Sequence, residues 1–334
     1  MIKENETEFK NMNLDFWHSK GYTGKGVNVL HLDVSGFPFE EHNVIRPLAY
    51  IENQTEGSHN PMMLAASREL APDTNLYSIR INGGALEQAI DWIIENKDMI
   101  DVVNISVAVT KSTMESLKRL KDTDIPLIVA VGNDGNDRTN LTATIPFATG
   151  IGAWTEYRDE LASYSNWGMD MLFVAYSHIK YISPRSKKLV DVSGTSGAAV
   201  TASSGIVAIY AQYFKEVMRR KMTRLEVFEF MIRYAEDKMT PGKDLKSGYG
   251  LVRLPDHLPT LKKPIEIPKE PEKETDNMKF KDTNGHWADG AIDFISDKGL
   301  LKGYEDGTFK PERAVTRAEL ATVLARINGY VEKK

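Results

Sequence analysis

No cysteine occurs among the 334 residues. That excludes a disulfide framework and thiolate chemistry, and it fits either side of a bacterial membrane. No apolar run approaches the ~20 residues a membrane helix needs, so no membrane partner is expected. An excess of positive charge is missing too. Lys and Arg number 42 against 47 Asp and Glu, a net charge of −5, which argues against a general nucleic-acid binder. The start, Met1-Ile-Lys-Glu-Asn-Glu-Thr-Glu, lacks the apolar core of a signal peptide. The expectation is a chain made in the cytoplasm that reaches any other place by another export route or by lysis. What is present is an ordinary globular composition, 41% hydrophobic and 27% charged. The length suits one large domain and a small one.

Along the chain, apolar runs of strand length alternate with helical patterns. Val27–Leu32 reads as a buried strand that ends in a carboxylate, Asp33. Leu76–Arg80, Val102–Val109 and Pro126–Val131 read as further strands, and short ones follow near 148–153 and 172–175. Helices are expected from Met62, over Leu86–Asn96 and Ser112–Leu120, after Ser196, and over Leu225–Tyr234. Such alternation predicts an α/β fold with a doubly wound, mostly parallel sheet. A strand ending in Asp is where such sheets keep their sites, although turns and caps also use Asp. The expected divisions are a polar N-terminal arm (1–20), the α/β domain (21–258), a proline-rich charged linker (259–278) and a small α-helical unit (279–330).

The stretch Ser193-Gly-Thr-Ser-Gly-Ala-Ala-Val200 reads as a tight turn opening a buried helix, with Ser196 in or near its first turn. Unsatisfied amides and a positive dipole there would stabilise charge developing on an oxygen. A nucleophilic serine fits, and so does a plain helix cap at Thr195 or Ser196.

Three stretches in order widen the pattern: Thr23-Gly-Lys-Gly-Val-Asn-Val with Asp33, Val131-Gly-Asn-Asp-Gly135, and Gly194-Thr-Ser-Gly-Ala198. Together with Ala71-Pro-Asp-Thr-Asn and Val102-Val-Asn-Ile-Ser they resemble the subtilisin-like serine proteases over roughly residues 14–255. The resemblance implies Ser196 as nucleophile, Asp33 as the carboxylate that orients the base, and Asn133 as side-chain donor of the oxyanion hole. It implies that Ser106, Val107 and Ala108 pair with an extended polypeptide substrate. Calcium is frequent in that family, but no acidic loop here is clear enough to name ligands.

At the base the sequence departs from the family. The usual His-Gly-Thr-His becomes Glu56-Gly-Ser-His59. Aligned without gaps, Glu56 takes the catalytic position and His59 the second, inward-pointing one. Glu56 as base would resemble the Ser-Glu-Asp set of the sedolisins, with Asp33 as partner. A free Glu, with a pKa of about 4.3, is a weak base for a hydroxyl, so an acid-shifted protease is expected. Two alternatives stay open. His59, His31 or His42 serves instead, or the site is dead and the fold survives as a binding or structural module.

The tail, Phe280-Lys-Asp-Thr-Asn-Gly-His-Trp through Gly303-Tyr-Glu-Asp-Gly-Thr-Phe to Val315-Thr-Arg-Ala-Glu, resembles an S-layer homology repeat over 279–327. Such repeats hold proteins to secondary cell-wall polysaccharide, often pyruvylated. The resemblance implies Arg317 as a bidentate donor to a glycan carboxylate. Trp287 and Tyr304 fit either a core or sugar stacking. The family usually carries three repeats; one repeat implies a homotrimer, weak binding, or lost binding. A wall anchor without a leader is explained if the gene belongs to a phage of a Gram-positive host. The reading is a wall-targeted serine endopeptidase, with a silent subtilase-fold module as its rival.

Overall fold

Runs of β-branched and aliphatic residues build the centre. Val102–Ile105 and Leu127–Ala130 are buried at every position, as strands covered on both faces must be. The computed structural model describes residues 2–38, 59–81, 86–183, 186–261, 280–283, 289–297, 299–304, 306–313, 316, 319, 322–323 and 326. The chain divides into two compact units, Met1–Lys263 and Pro264–Lys334.

In the first unit, strands β1 (Asn28–Pro38), β2 (Asn75–Arg80), β3 (Val102–Ile105), β4 (Leu127–Ala130), β5 (Ala148–Thr155), β6 (Glu160–Leu161) and β7 (Met171–Tyr176) form one sheet. The order runs β2-β1-β3-β4-β5, with β7 parallel and β6 antiparallel to β5; every other pairing is parallel. From β1 the chain turns to β2 on one side and then crosses to β3 on the other. The strand order therefore reverses between β1 and β3, and ligands bind such sheets beyond the carboxyl ends of the strands at that point. Asp33 and Ser106 lie there. A separate hairpin, β8 (Ile179–Ile182) with β9 (Leu189–Val192), was not expected from the sequence.

The helix after β9 is longer than its first turn suggests. Gly194–Val200 is α-helical, Thr201–Ala208 is a π-helical stretch, and Ile209–Met218 is α-helical again. Residues 195–214 are buried throughout. A Cβ on Gly197 would collide with the Ser177 carbonyl, so small residues are what let this helix into the core.

The opening residues correct the expected polar arm. Helices α1 (Glu6–Asn11) and α2 (Leu14–Ser19) bury Phe9, Met12, Leu14 and Trp17 completely. Trp17 Nε1 donates to the Pro255 carbonyl at 2.7 Å, and its ring packs 5.4–5.8 Å from those of Tyr22, Tyr210 and Tyr213. Apolar residues at 9, 12, 14 and 17 share one side of the helical pair, and average polarity hides that side. The expected linker also begins later than 259. Tyr213 Oη donates to the Pro259 carbonyl, and Leu261 packs on the core. Among the described residues, no helix is long and apolar enough to cross a membrane.

The second unit contains a helix at Asp289–Asp297. Phe280 and Phe309 meet with ring centroids 5.3 Å apart. Thr316 and Glu319 form the expected reciprocal pair: Glu319 N–H donates to Thr316 Oγ1 at 3.2 Å, and Thr316 N–H to Glu319 Oε2 at 2.8 Å. Trp287 and Arg317 lie outside the described residues.

Candidate active site

Asp33 closes the apolar run of β1 and is 1% exposed. Ser196 is the third residue of its helix, behind a cap residue, Ser193, whose side chain makes no cap bond. Ser196 is thus not itself the cap. Between them stands His59, the first residue of helix α3 (His59–Leu70). Its Nδ1 is 2.6 Å from Asp33 Oδ2, and its Nε2 is 3.0 Å from Ser196 Oγ. The imidazole side chain is 33% exposed and the carboxylate 2%, so the ring bridges solvent and a buried anion. An acceptor at Nδ1 fixes the tautomer, leaving Nε2 to face the hydroxyl.

The structure corrects the gapless alignment. His59, not the residue three places earlier, fills the position between Asp33 and Ser196. Glu56 and His42 lie outside the described residues. A three-residue slip is nearly one helical turn, and a four-residue motif alone fixes register poorly. One signal was available: Pro61 marks the first turn of a helix, which puts His59, not Glu56, at its start.

A second acceptor competes for the serine proton. Ser196 Oγ–H is 2.6 Å from the Ser106 carbonyl, and Ser106 Oγ–H donates back to the Ser196 carbonyl at 3.2 Å. Ser106 and Val107 are buried and Ala108 is exposed. All three lie just beyond the end of β3, so this segment has left the sheet.

After β4 the chain turns through Gly132, at φ 109°, a conformation that favours glycine. Asn133 Oδ1 accepts from Thr195 N at 2.8 Å and from Thr195 Oγ1 at 3.0 Å, while Gly132 N donates to Thr195 Oγ1 at 3.2 Å. These bonds lash the Asn133 loop to the serine loop. They also occupy the amide oxygen, which leaves Nδ2 as the group available to donate.

Below the site lies a buried polar cluster that the sequence reading missed. His31 is 1% exposed. Asn104 Nδ2 is 3.2 Å from its Nδ1 and 2.7 Å from Ser106 Oγ. Ser67 Oγ is 3.1 Å from His31 Nε2; it donates to the Met63 carbonyl and accepts from Ser204 Oγ. With the Ser67 proton committed, Nε2–H is the donor and Nδ1 the acceptor, so His31 is neutral. Burial pushes its pKa down to about 4, against a raising effect of Asp33 and a further lowering by His59. Fully engaged, it cannot swing to Ser196. The signal was period two: His31 and Asp33 share a face of β1, and His31 pairs in register with Asn104 of β3.

Among the described residues, no three or more His, Asp or Glu side chains gather to hold a metal ion. In the second unit, Tyr304, Lys310, Arg313 and Arg326 line a cavity of about 520 Å³. Lys310 Nζ lies 4.2 Å from the Tyr304 ring centroid, and the Arg313 guanidinium carbon 5.5 Å.

Comparison with known proteins places both units. The family model described as the subtilase family matches residues 48–250, and that of the S-layer homology domain matches 279–321. The minor extracellular protease Epr of Bacillus subtilis is 24% identical over 257 residues, 70% of this chain and 38% of that protein. Cell surface glycoprotein 1 of Acetivibrio thermocellus is 62% identical over 39 residues, 12% of this chain and 2% of that protein. Both alignments therefore span well under half of the relative's length. A crystal structure of a lanthipeptide protease superposes with a TM-score of 0.60 at 18% identity, covering 75% of this chain and 94% of the other; that likeness concerns the fold alone.

Proposed function

The chain belongs to the subtilase family, and from that premise we propose that it is a serine endopeptidase whose base is His59. The observation that carries this reading is the bond pair Asp33–His59–Ser196, at 2.6 and 3.0 Å. Ser196 Oγ attacks the scissile carbonyl while His59 Nε2 takes its proton. Asp33 holds Nδ1–H and stabilises the imidazolium that forms. Charge on the tetrahedral oxygen is met by Asn133 Nδ2 and by the Ser196 N–H, which has no intrahelical acceptor in the first turn. His59 then hands the proton to the leaving amine, and water repeats the sequence on the acyl-enzyme. The backbone of Ser106, Val107 and Ala108 receives the extended polypeptide.

Cleavage of a fluorescent unfolded polypeptide, followed from pH 4 to pH 9 beside Ser196→Ala and His59→Ala, tests this. An imidazole base works unprotonated, so the expected activity is neutral to alkaline and vanishes in both variants. An acid optimum that survives His59→Ala would return the base to Glu56. Equal, background-level signal from all three proteins would make the domain a silent module.

The S-layer homology domain is proposed to hold the enzyme at a cell wall, with Arg317 and the basic cavity beside Tyr304 meeting an anionic glycan. Co-sedimentation with purified pyruvylated wall polysaccharide, with and without Arg317→Ala, checks it; no sedimentation of the unaltered chain refutes it.

A further inference from the structure

A cavity of about 430 Å³ opens between α1, the β5–β6 turn and the β8–β9 hairpin. Its wall reaches the serine loop. Tyr164, one of its lining residues, accepts at Oη from the Gly194 N–H at 3.3 Å, and it bonds Ser177 Oγ at 2.9 Å. Gly194 is two residues before Ser196. Helix α1 is held in place at the cavity by Asn5, whose side chain exchanges two hydrogen bonds with the backbone of Lys180, at 2.7 and 2.8 Å.

The charge in this cavity is uneven. Arg158 and Glu160 pair with each other at 3.4 Å. Three carboxylates, Glu8, Glu156 and Asp191, then share the walls with one ammonium, Lys180. Three less one leaves an excess of two negative charges, or of one when His178, bonded to Asp191 at 3.0 Å, is protonated. Glu8 is the telling residue. It is 6% exposed, and among the described residues only its own backbone N–H bonds its carboxylate. Burial accordingly pushes its pKa up. A carboxylate buried without a second donor stands at a cost that an incoming cation would remove.

We propose that this cavity binds a lysine or arginine side chain of the polypeptide substrate, within about three residues of the scissile bond. Tyr164 ties the cavity wall to Gly194, two residues before Ser196, and an extended chain advances about 3.3 Å per residue, which is why the basic residue is placed two or three positions from the bond that Ser196 attacks. Glu8 and Glu156 receive the cation, and Tyr164 links the cavity to the loop. The inference rests on the protease reading for its substrate, yet it can be measured without turnover.

The Ser196→Ala protein is titrated with a capped hexapeptide carrying a central lysine and with its norleucine twin. The lysine peptide is expected to bind about fivefold tighter. That advantage shrinks at 500 mM salt, roughly three times physiological strength, and disappears in Glu156→Gln and Glu8→Gln. Glu156 is half-buried at the rim, so its variant tests the idea even if replacing Glu8 disturbs α1. Equal affinity for the two peptides overturns the proposal. In parallel, cleavage sites of the active chain are mapped in an unstructured peptide mixture, where basic residues should be enriched near the cut. Lysine selectivity without any Ser196-dependent cleavage would keep the cavity and refute the protease. Ser196-dependent cleavage with no basic preference would do the reverse.

Discussion

His59 and His31 stand at two levels of the candidate site, one at its mouth and the other on its floor. At the mouth, the imidazole lies between a buried carboxylate and a hydroxyl, one-third exposed. On the floor, it lies between an amide and a hydroxyl, with solvent excluded. The first ring touches a carboxylate and reaches water, the setting that the proposed base needs. Neutral partners on both nitrogens hold the second ring uncharged. The side chain is the same; its hydrogen-bond partners and its burial separate a candidate base from a brace.

The largest effects test the mouth. Ser196→Ala and His59→Ala should each lower kcat/KM by about 10⁴-fold or more while thermal unfolding stays near that of the parent. Glu56→Gln should keep most of the activity; a loss comparable with His59→Ala would show that the mouth holds a different base. Asp33→Asn should cost about 10³–10⁴-fold, because a neutral amide no longer fixes the Nδ1–H tautomer, and parental rates in that variant would contradict the bridging role.

The floor should answer in stability. His31 has a folded pKa of about 4, below its unfolded value. Between those values the unfolded chain binds more protons, so stability rises with pH across the window and is lost as pH falls through it. The loss from near pH 7 to pH 4 should be about 3 kcal/mol for this residue. Urea midpoints at both pH values, compared between the parent and His31→Gln, isolate it, since the other histidines are common to both; an unchanged pH slope would remove the distinction between the two rings. Smallest is Asn133→Ala, expected to lower kcat about 10²-fold with KM nearly unchanged. A rise in KM alone would make Asn133 a binding residue.

Much of this arrangement was legible in the residues. β4 is apolar throughout and β3 at every position but Asn104, so both announce themselves as strands covered on both faces, and Asp33 stands out as the carboxylate that breaks the apolar run of β1. The Gly-Thr-Ser turn and its small followers mark the serine loop. What was hidden depends on the third dimension. The first twenty residues look polar on average and bury four large side chains on one side. The register of His59 depended on where a helix starts. The floor cluster joins β1, β3, α3 and the helix after Ser196, and no local pattern in any one of them reveals that His31, Asn104, Ser67 and Ser204 meet.

The first unit is also closed on itself. Asn13 Nδ2 donates to the Leu254 carbonyl at 2.7 Å, Leu254 N–H donates to the Met12 carbonyl at 3.1 Å, and Trp17 Nε1 reaches the Pro255 carbonyl at 2.7 Å. The beginning and the end of the unit are buckled together. A mechanical pull on the end of the unit would load the Tyr213–Pro259 bond first and this buckle next, and both come before the Leu251–Val174 pairing that joins the segment to the sheet.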